Sequence, residues 1–254
     1  VQWSPESAGG GSAGARAIAF DPGAGQVRRH ADASIGARAV PATSRFAILH
    51  ASPAGRPHAE IGMTLLIAGL VLFLGTHSVR IFADAWRSAR IAAMGEGAWK
   101  GLYSVVAIAG FVLIVWGYGE ARAAPTVLYA PPLWTKHLAA LLTLPAFVLL
   151  AAAKTPGTRI KAAVGHPMVL GVKLWAFAHL LSNGTLADVL LFGSFLAWAV
   201  LDYVAARRRD RAAGVAYPAG PLSRDAIAIA IGGVAWLAFA LWLHGPLIGV
   251  RPFG

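Results

Sequence analysis

The tightest constraint on this chain is a succession of continuous apolar runs that begins at Met63 and repeats toward the C-terminus. Runs near 64–82, 101–119, 133–153, 166–182, 185–205 and 225–244 each approach the ~20 residues that a bilayer core requires. They are continuous rather than alternating, so helices and not barrel strands must satisfy their backbone groups in lipid. Gly, Pro and charged residues mark the breaks. With 57% hydrophobic and 13% charged residues, the chain is too apolar for a soluble domain. The expected fold is all-α: a polytopic integral membrane helix bundle of about six transmembrane helices, with the lipid bilayer as its solvent. Only Asn183-Gly184 separates the fourth and fifth runs, which predicts a tight antiparallel hairpin, and His166-Pro167 suits the start of the fourth helix. Trp134, Trp175, Trp198, Trp242 and Tyr203 fall near run ends and are expected to form an interfacial belt.

Residues 1–62 are of another kind. Ala, Gly, Arg and Pro supply 35 of these 62 positions, with no apolar period and no signal-peptide pattern. Such a segment cannot bury enough surface to fold and is expected to be disordered. The abrupt change at Gly62-Met63 divides the chain into 1–62 and a membrane domain at 63–254, and suggests that translation starts at Met63. An Arg-rich transit peptide is the competing reading, against which Glu6, Asp21, Asp32 and Glu60 count. Loop charge sets the orientation. Arg80, Arg87, Arg90, Lys100, Lys154, Arg159, Lys161, Arg207, Arg208, Arg209, Arg211 and Arg224 give one side twelve cations, and Arg122, Lys136 and Arg251 give the other three. The first side is expected in the cytoplasm, with both ends of the bundle outside. Residues 1–62 would add six Arg to the outer side, a second reason to expect a mis-assigned extension. The formal charge of +11 is thus a matter of membrane topology, and no nucleic-acid partner is expected. The absence of Cys excludes disulfides, iron–sulfur clusters, thiolate haem ligation and Cys nucleophiles.

Polar residues inside apolar runs are costly and are candidate site residues by default. His77 and His166 lie toward the Arg-rich side, and His137, His179 and His244 toward the other. His166 and His179 are 13 residues apart, so roughly 20 Å along a helix and about 140° around it; one metal cannot take both. Lys173 lies seven residues from His166 on nearly the same face, and Asp202 is a candidate salt-bridge partner for it. A structural account, with packed histidines and a snorkelling Lys173, competes with every functional one. Zinc would want three or four ligands at one level, without a motif here to supply them. Serine hydrolysis would need an elbow motif that is missing. Haem needs one or two inward-facing histidines, bulky apolar walls and cations for the propionates; Arg80 and Lys173 are the candidate cations.

Gly75-Thr76-His77-Ser78, Gly95-Glu96, Trp99-Lys100 and the block HPMVLGVKLWAFAHLLSNG from His166 to Gly184 carry a resemblance to the NnrU family of bacterial membrane proteins across 63–254. The resemblance implies a multi-pass protein of the bacterial inner membrane, associated with denitrification and nitric oxide metabolism. The family is similar to zeta-carotene isomerase, a membrane protein with haem b that isomerises a carotenoid double bond. That similarity implies haem b held by His77 and His179, a hydrophobic small-molecule substrate, and isomerase- or oxidoreductase-like chemistry. Ala176 stands where the isomerase has a Cys three residues before the second His, so a ligand switch through that thiol has no counterpart here. Run boundaries put His77 ~20 Å, His179 ~5 Å and His166 ~24 Å below the outer face, which makes His166 the alternate ligand. Trp175, one turn before His179, is expected to wall the pocket. His166-Pro167 with Gly171 also resembles the HPxxxG element of isoprenylcysteine carboxyl methyltransferases, although Gly165 replaces the preceding Arg and the downstream acidic pair is missing. A non-catalytic membrane assembly factor is the third class.

Overall fold

The structure, a computed structural model, describes residues 56–253; the expectations for residues 1–55 lie outside the described residues. Helix α1 spans Arg56–Phe82, α2 Asp84–Met94, α3 Glu96–Ala121, α4 Trp134–Lys154 and α5 Arg159–Val164. Then come α6 (Pro167–Ser182), α7 (Leu186–Ala212) and α8 (Leu222–Ala238), a π turn at Phe239–Leu243 and α9 (His244–Ile248). Five helical stretches are long and apolar enough to cross a bilayer: Glu60–Phe82, α3, α4, α7 and Leu222–Ile248. The fourth expected run, α6, is shorter at 16 residues, or ~24 Å of helix.

Two short elements were not anticipated, α2 and α5, both in the Arg-rich loops. The start of α1 also precedes the expected boundary at residue 62. Packing explains the extension: a Cβ on Gly62 would lie 2.5 Å from the Ala121 nitrogen, and His58 pairs with Glu120 at 4.0 Å. Composition does not register such contacts.

Helix α1 lies against α3 and α7, α7 against α6, α6 against α4, and α4 against α8. The α1–α3 contact is backbone to backbone. A Cβ on Gly69 would lie 2.6 Å from the Ile114 nitrogen, and one on Gly110 would lie 2.7 Å from the Phe73 nitrogen. Small residues let membrane helices approach in this way, where lipid removes the usual hydrophobic drive. The same device recurs on α4, where Gly171 of α6 faces the Ala146 carbonyl and Gly232 of α8 faces Val148. The Trp236 indole N–H donates to Thr143 Oγ1 at 3.0 Å, a polar tie between α4 and α8. Leu66, Leu70, Leu74, Ile114, Leu191 and Phe192 form the buried core among α1, α3 and α7. Val71, Val105, Ile108, Leu141 and Val234 are each more than 60% exposed, an apolar surface suited to lipid and untenable in water.

The hairpin at Asn183-Gly184 forms as expected. The Thr185 hydroxyl accepts from the Asp188 N–H and the Asp188 carboxylate from the Thr185 N–H, a capping box that starts α7. The 122–133 loop straps this turn: the Gly184 carbonyl accepts from the N–H groups of Leu128 and Tyr129 at 2.8 and 3.1 Å. The Tyr129 hydroxyl donates to the carbonyls of Leu180 and Asn183.

Candidate functional site

His77 on α1 and His179 on α6 face the same side of α7. The His77 ring lies 6.0 Å from Trp198 at 89°, and His179 stacks on Phe192 at 4.7 Å. Phe192 and Trp198 are six residues apart, so the imidazoles are offset by ~9 Å along α7. The offset is smaller than the ~15 Å that run boundaries imply. Side chains bridge the interval: Phe73 is 4.2 Å from His77 and 5.8 Å from Phe195. Trp175 is 5.6 Å from Phe195 and 5.2 Å from His179. An aromatic column thus joins the two histidines, with Tyr103 of α3 5.3 Å from His77 at its other edge.

Both rings are fixed alike. His77 Nδ1 donates to the Phe73 carbonyl at 2.7 Å, and His179 Nδ1 donates to the Trp175 carbonyl at 2.8 Å. A carbonyl only accepts, so in the neutral ring the proton sits on Nδ1 and Nε2 keeps its lone pair. This is how protein histidines are oriented for ligation, with the second nitrogen held by a backbone acceptor. Each tie reaches back four residues on its own helix, which turns Nε2 outward. Trp198 Nε1, beside His77, is buried without a hydrogen-bond partner among the described residues. A buried orphan donor is uncommon, and here it borders a ring with an open lone pair.

His166 is placed elsewhere. As the residue capping α6 it sits at the Arg-rich end, where its Nε2 is 2.8 Å from Asp210 Oδ2. The same oxygen accepts from the Tyr217 hydroxyl at 3.1 Å, and Arg207 lies 3.6 Å away. Gly165 admits this arrangement: its φ is +73°, and the Arg207 guanidinium occupies the space a Cβ would need. Loss of solvent around Tyr217, then the bond to Asp210, push its hydroxyl pKa up. His166 is therefore an interlock between α6, α7 and the 213–221 loop, separate from the aromatic column.

Lys173 is also separate. It lies six residues from His179, about 120° away around α6, and its ammonium stands 4.9 Å from the Tyr203 ring centroid. The expected pair with Asp202 does not form; Asp202 faces Arg209 at 3.8 Å, a same-helix partner with longer reach. Arg80 lies one turn past His77, ~4.5 Å toward the Arg-rich end, and its carbonyl accepts from Arg209 at 3.3 Å. The expected belt is corrected as well. Trp134 and Trp242 are exposed, but Trp175 and Trp198 pack on the core because Phe192, Phe195 and Trp198 share one face of α7 at three-residue spacing. That spacing is the signal by which the column could have been found. Among the described residues no three His, Asp or Glu gather as a metal group, so the ligand atoms available in the column are the two Nε2.

Fold and site define a polytopic helical membrane protein with a pair of oriented histidines on an aromatic column. Residues 65–252 match the family model described as NnrU protein, and the chain belongs to the NnrU family. No curated protein and no solved structure matches it. Gly95-Glu96 and Trp99-Lys100 make the α2–α3 corner. Gly95 has φ +84°, Lys100 pairs with Glu96 at 2.7 Å, and Trp99 stands 5.8 Å from Trp86.

Proposed function

We propose that this integral membrane protein of the NnrU type binds haem b through His77 Nε2 and His179 Nε2. The observation that carries the reading is the matched pair of Nδ1–H bonds to backbone carbonyls, which leaves two ligand-ready lone pairs on one aromatic column. Phe73, Trp175, Phe192 and Phe195 supply flat apolar walls, and Trp198 Nε1 supplies a donor. Phe73 and Phe195 bridge the imidazoles, so room for a macrocycle requires these two rings to turn aside. Arg80 is the better-placed cation for a propionate, since Lys173 is on another face of α6. Bound haem would supply a redox-active iron, suited to nitric oxide or to a polyene substrate. The chain's own part is to hold the two imidazoles, exclude water and offer an N–H at the ligand.

A Soret band in purified full-length protein is the expected result. His77→Ala and His179→Ala should each lose most of the haem, while His166→Ala should keep it. Retention in His77→Ala would remove the model, and retention in His179→Ala with loss in His166→Ala would reassign the second ligand. The methyltransferase-like reading finds less support, because His166 is engaged by Asp210 and Gly171 is a packing glycine against α4. A haem-free spectrum would favour the assembly-factor reading.

We place the protein in a bacterial inner membrane with its Arg-rich end in the cytoplasm, on loop charge. Reporter fusions at Lys154–Lys161, Ser182–Thr185 and Arg207–Arg211 should read inside, outside, inside. Any other pattern overturns the orientation.

A further inference from the structure

We propose that a lipid-facing groove between α4, α6 and α7 binds a single-chain amphiphile with a carboxylate head, a long-chain fatty acid, whose head pairs with Lys173. The groove is open, holds about 350 Å³ and is lined by Leu149, Leu170, Lys173, Leu174, Phe177 and Leu196. Its volume falls at the lower end of the ~300–1,000 Å³ typical of small-ligand sites. The lining is wholly apolar; Lys173 adds its aliphatic stem to it, and the ammonium lies at its edge over the Tyr203 ring. Phe177 is 45% exposed, so the groove opens at the bundle surface, where acyl chains are available.

Lys173 carries the argument. A cation within a span usually faces a partner carboxylate or a cavity. The acid expected to pair with it, Asp202, faces Arg209 instead, and Asp188 is taken up by Tyr118 and Thr185. Lys173 makes no ion pair among the described residues. Its ammonium rests over Tyr203, whose hydroxyl donates to the Val164 carbonyl at 2.8 Å just before α6 begins. The side chain thus reaches from ~9 Å inside α6 back toward the Arg-rich end, where a lipid head group sits. A tail would lie along Leu170, Leu174, Phe177 and Leu196 while its carboxylate meets the ammonium. One cation and one narrow groove suit a single chain with a single charge, in preference to a diacyl phospholipid. The site lies on the other side of α6 from His179 and does not depend on haem.

The test uses the full chain in phosphatidylcholine nanodiscs, with radiolabelled oleic acid and oleyl alcohol as probes. Lys173→Met is expected to bind oleic acid at least about tenfold more weakly, a difference of ~1.4 kcal/mol, with oleyl alcohol unchanged. Lys173→Arg should restore oleic acid binding, and Leu196→Trp, which fills the groove, should weaken both probes. If Leu196→Trp does not fold, the two probes on Lys173→Met and Lys173→Arg decide alone. Equal oleic acid binding by wild type and Lys173→Met overturns the proposal, as does undiminished binding by folded Leu196→Trp. Displacement of oleic acid by equimolar phosphatidylglycerol overturns the choice of occupant in favour of a phospholipid head.

Discussion

Gly117→Leu is expected to yield at least about tenfold less folded protein than wild type, since ~1.4 kcal/mol already corresponds to a factor of ten. A Cβ at Gly117 would collide with the Leu66 nitrogen and the Gly62 carbonyl. These are backbone atoms of α1, which cannot turn aside as a flexible side chain can. Gly62 and Gly69 on α1, and Gly110 and Gly117 on α3, repeat at seven residues, so each pair lines one seam of its helix. The antiparallel helices meet along that seam with nothing between their backbones. Even Gly117→Ala should cost about 1–3 kcal/mol through overpacking. Gly75→Ala is the control on α1: nothing lies within 4 Å of its Cβ, and the higher helix propensity of Ala should add up to ~1 kcal/mol. Thermal unfolding of the detergent-solubilised variants measures the contrast. A Gly117→Leu protein as stable as Gly75→Ala would show that the α1–α3 seam is not close-packed. The damage should extend to the site, because Phe73 and His77 ride on α1 beyond the same seam.

The α1–α3 seam also shows how far the sequence speaks. Apolar runs located five helices long enough to cross a bilayer and the shorter α6, since that signal sums over some twenty residues and lipid leaves the backbone no alternative. His166-Pro167 and Asn183-Gly184 bounded α6 for local steric reasons. Contacts between helices were less legible. Lys173 and Asp202 lie at compatible depths, but depth does not say which way a helix is turned, and Asp202 has Arg209 on its own helix. Trp175 and Trp198 lie near run ends by count, yet α7 is 27 residues long and extends past the apolar run, so Trp198 is interior. His77 and His179 could be singled out by resemblance. Their common orientation depends on two carbonyls four residues back and on an aromatic row in α7, and both are features of the packed bundle.

Asp188→Ala is expected to lower stability by roughly 2–5 kcal/mol, the combined cost of a lost helix cap and of buried donors left without an acceptor. Asp188 is 6% exposed, at the first turn of α7. One carboxylate oxygen accepts from the Tyr118 hydroxyl at 2.5 Å, and the other from the Thr185 N–H at 2.9 Å and the Thr185 hydroxyl at 2.7 Å. Truncation removes half of the capping box, worth about 0.5–2 kcal/mol as a cap, and strands the donors at about 1–3 kcal/mol for each one left buried. Tyr118→Phe removes a single bond and should cost about 1–3 kcal/mol. Asp188→Asn should fall between the two, because its amide oxygen can still cap the Thr185 N–H while the Tyr118 hydroxyl rotates to accept from its NH2. The consequence for the site follows from the strap over this turn. The Leu186 N–H donates to the Thr126 carbonyl at 2.8 Å, and Asn183 Nδ2 donates to the His179 carbonyl at 2.9 Å. Loosening the start of α7 therefore frees the last turn of α6, the turn that carries His179. Melting temperatures should rank wild type above Tyr118→Phe, then Asp188→Asn, then Asp188→Ala, and under the proposed haem-binding function the fraction of haem retained on purification should follow the same order. An Asp188→Ala protein that melts with wild type would mean that the carboxylate is hydrated, and that the α6–α7 turn is held by the 122–133 strap alone.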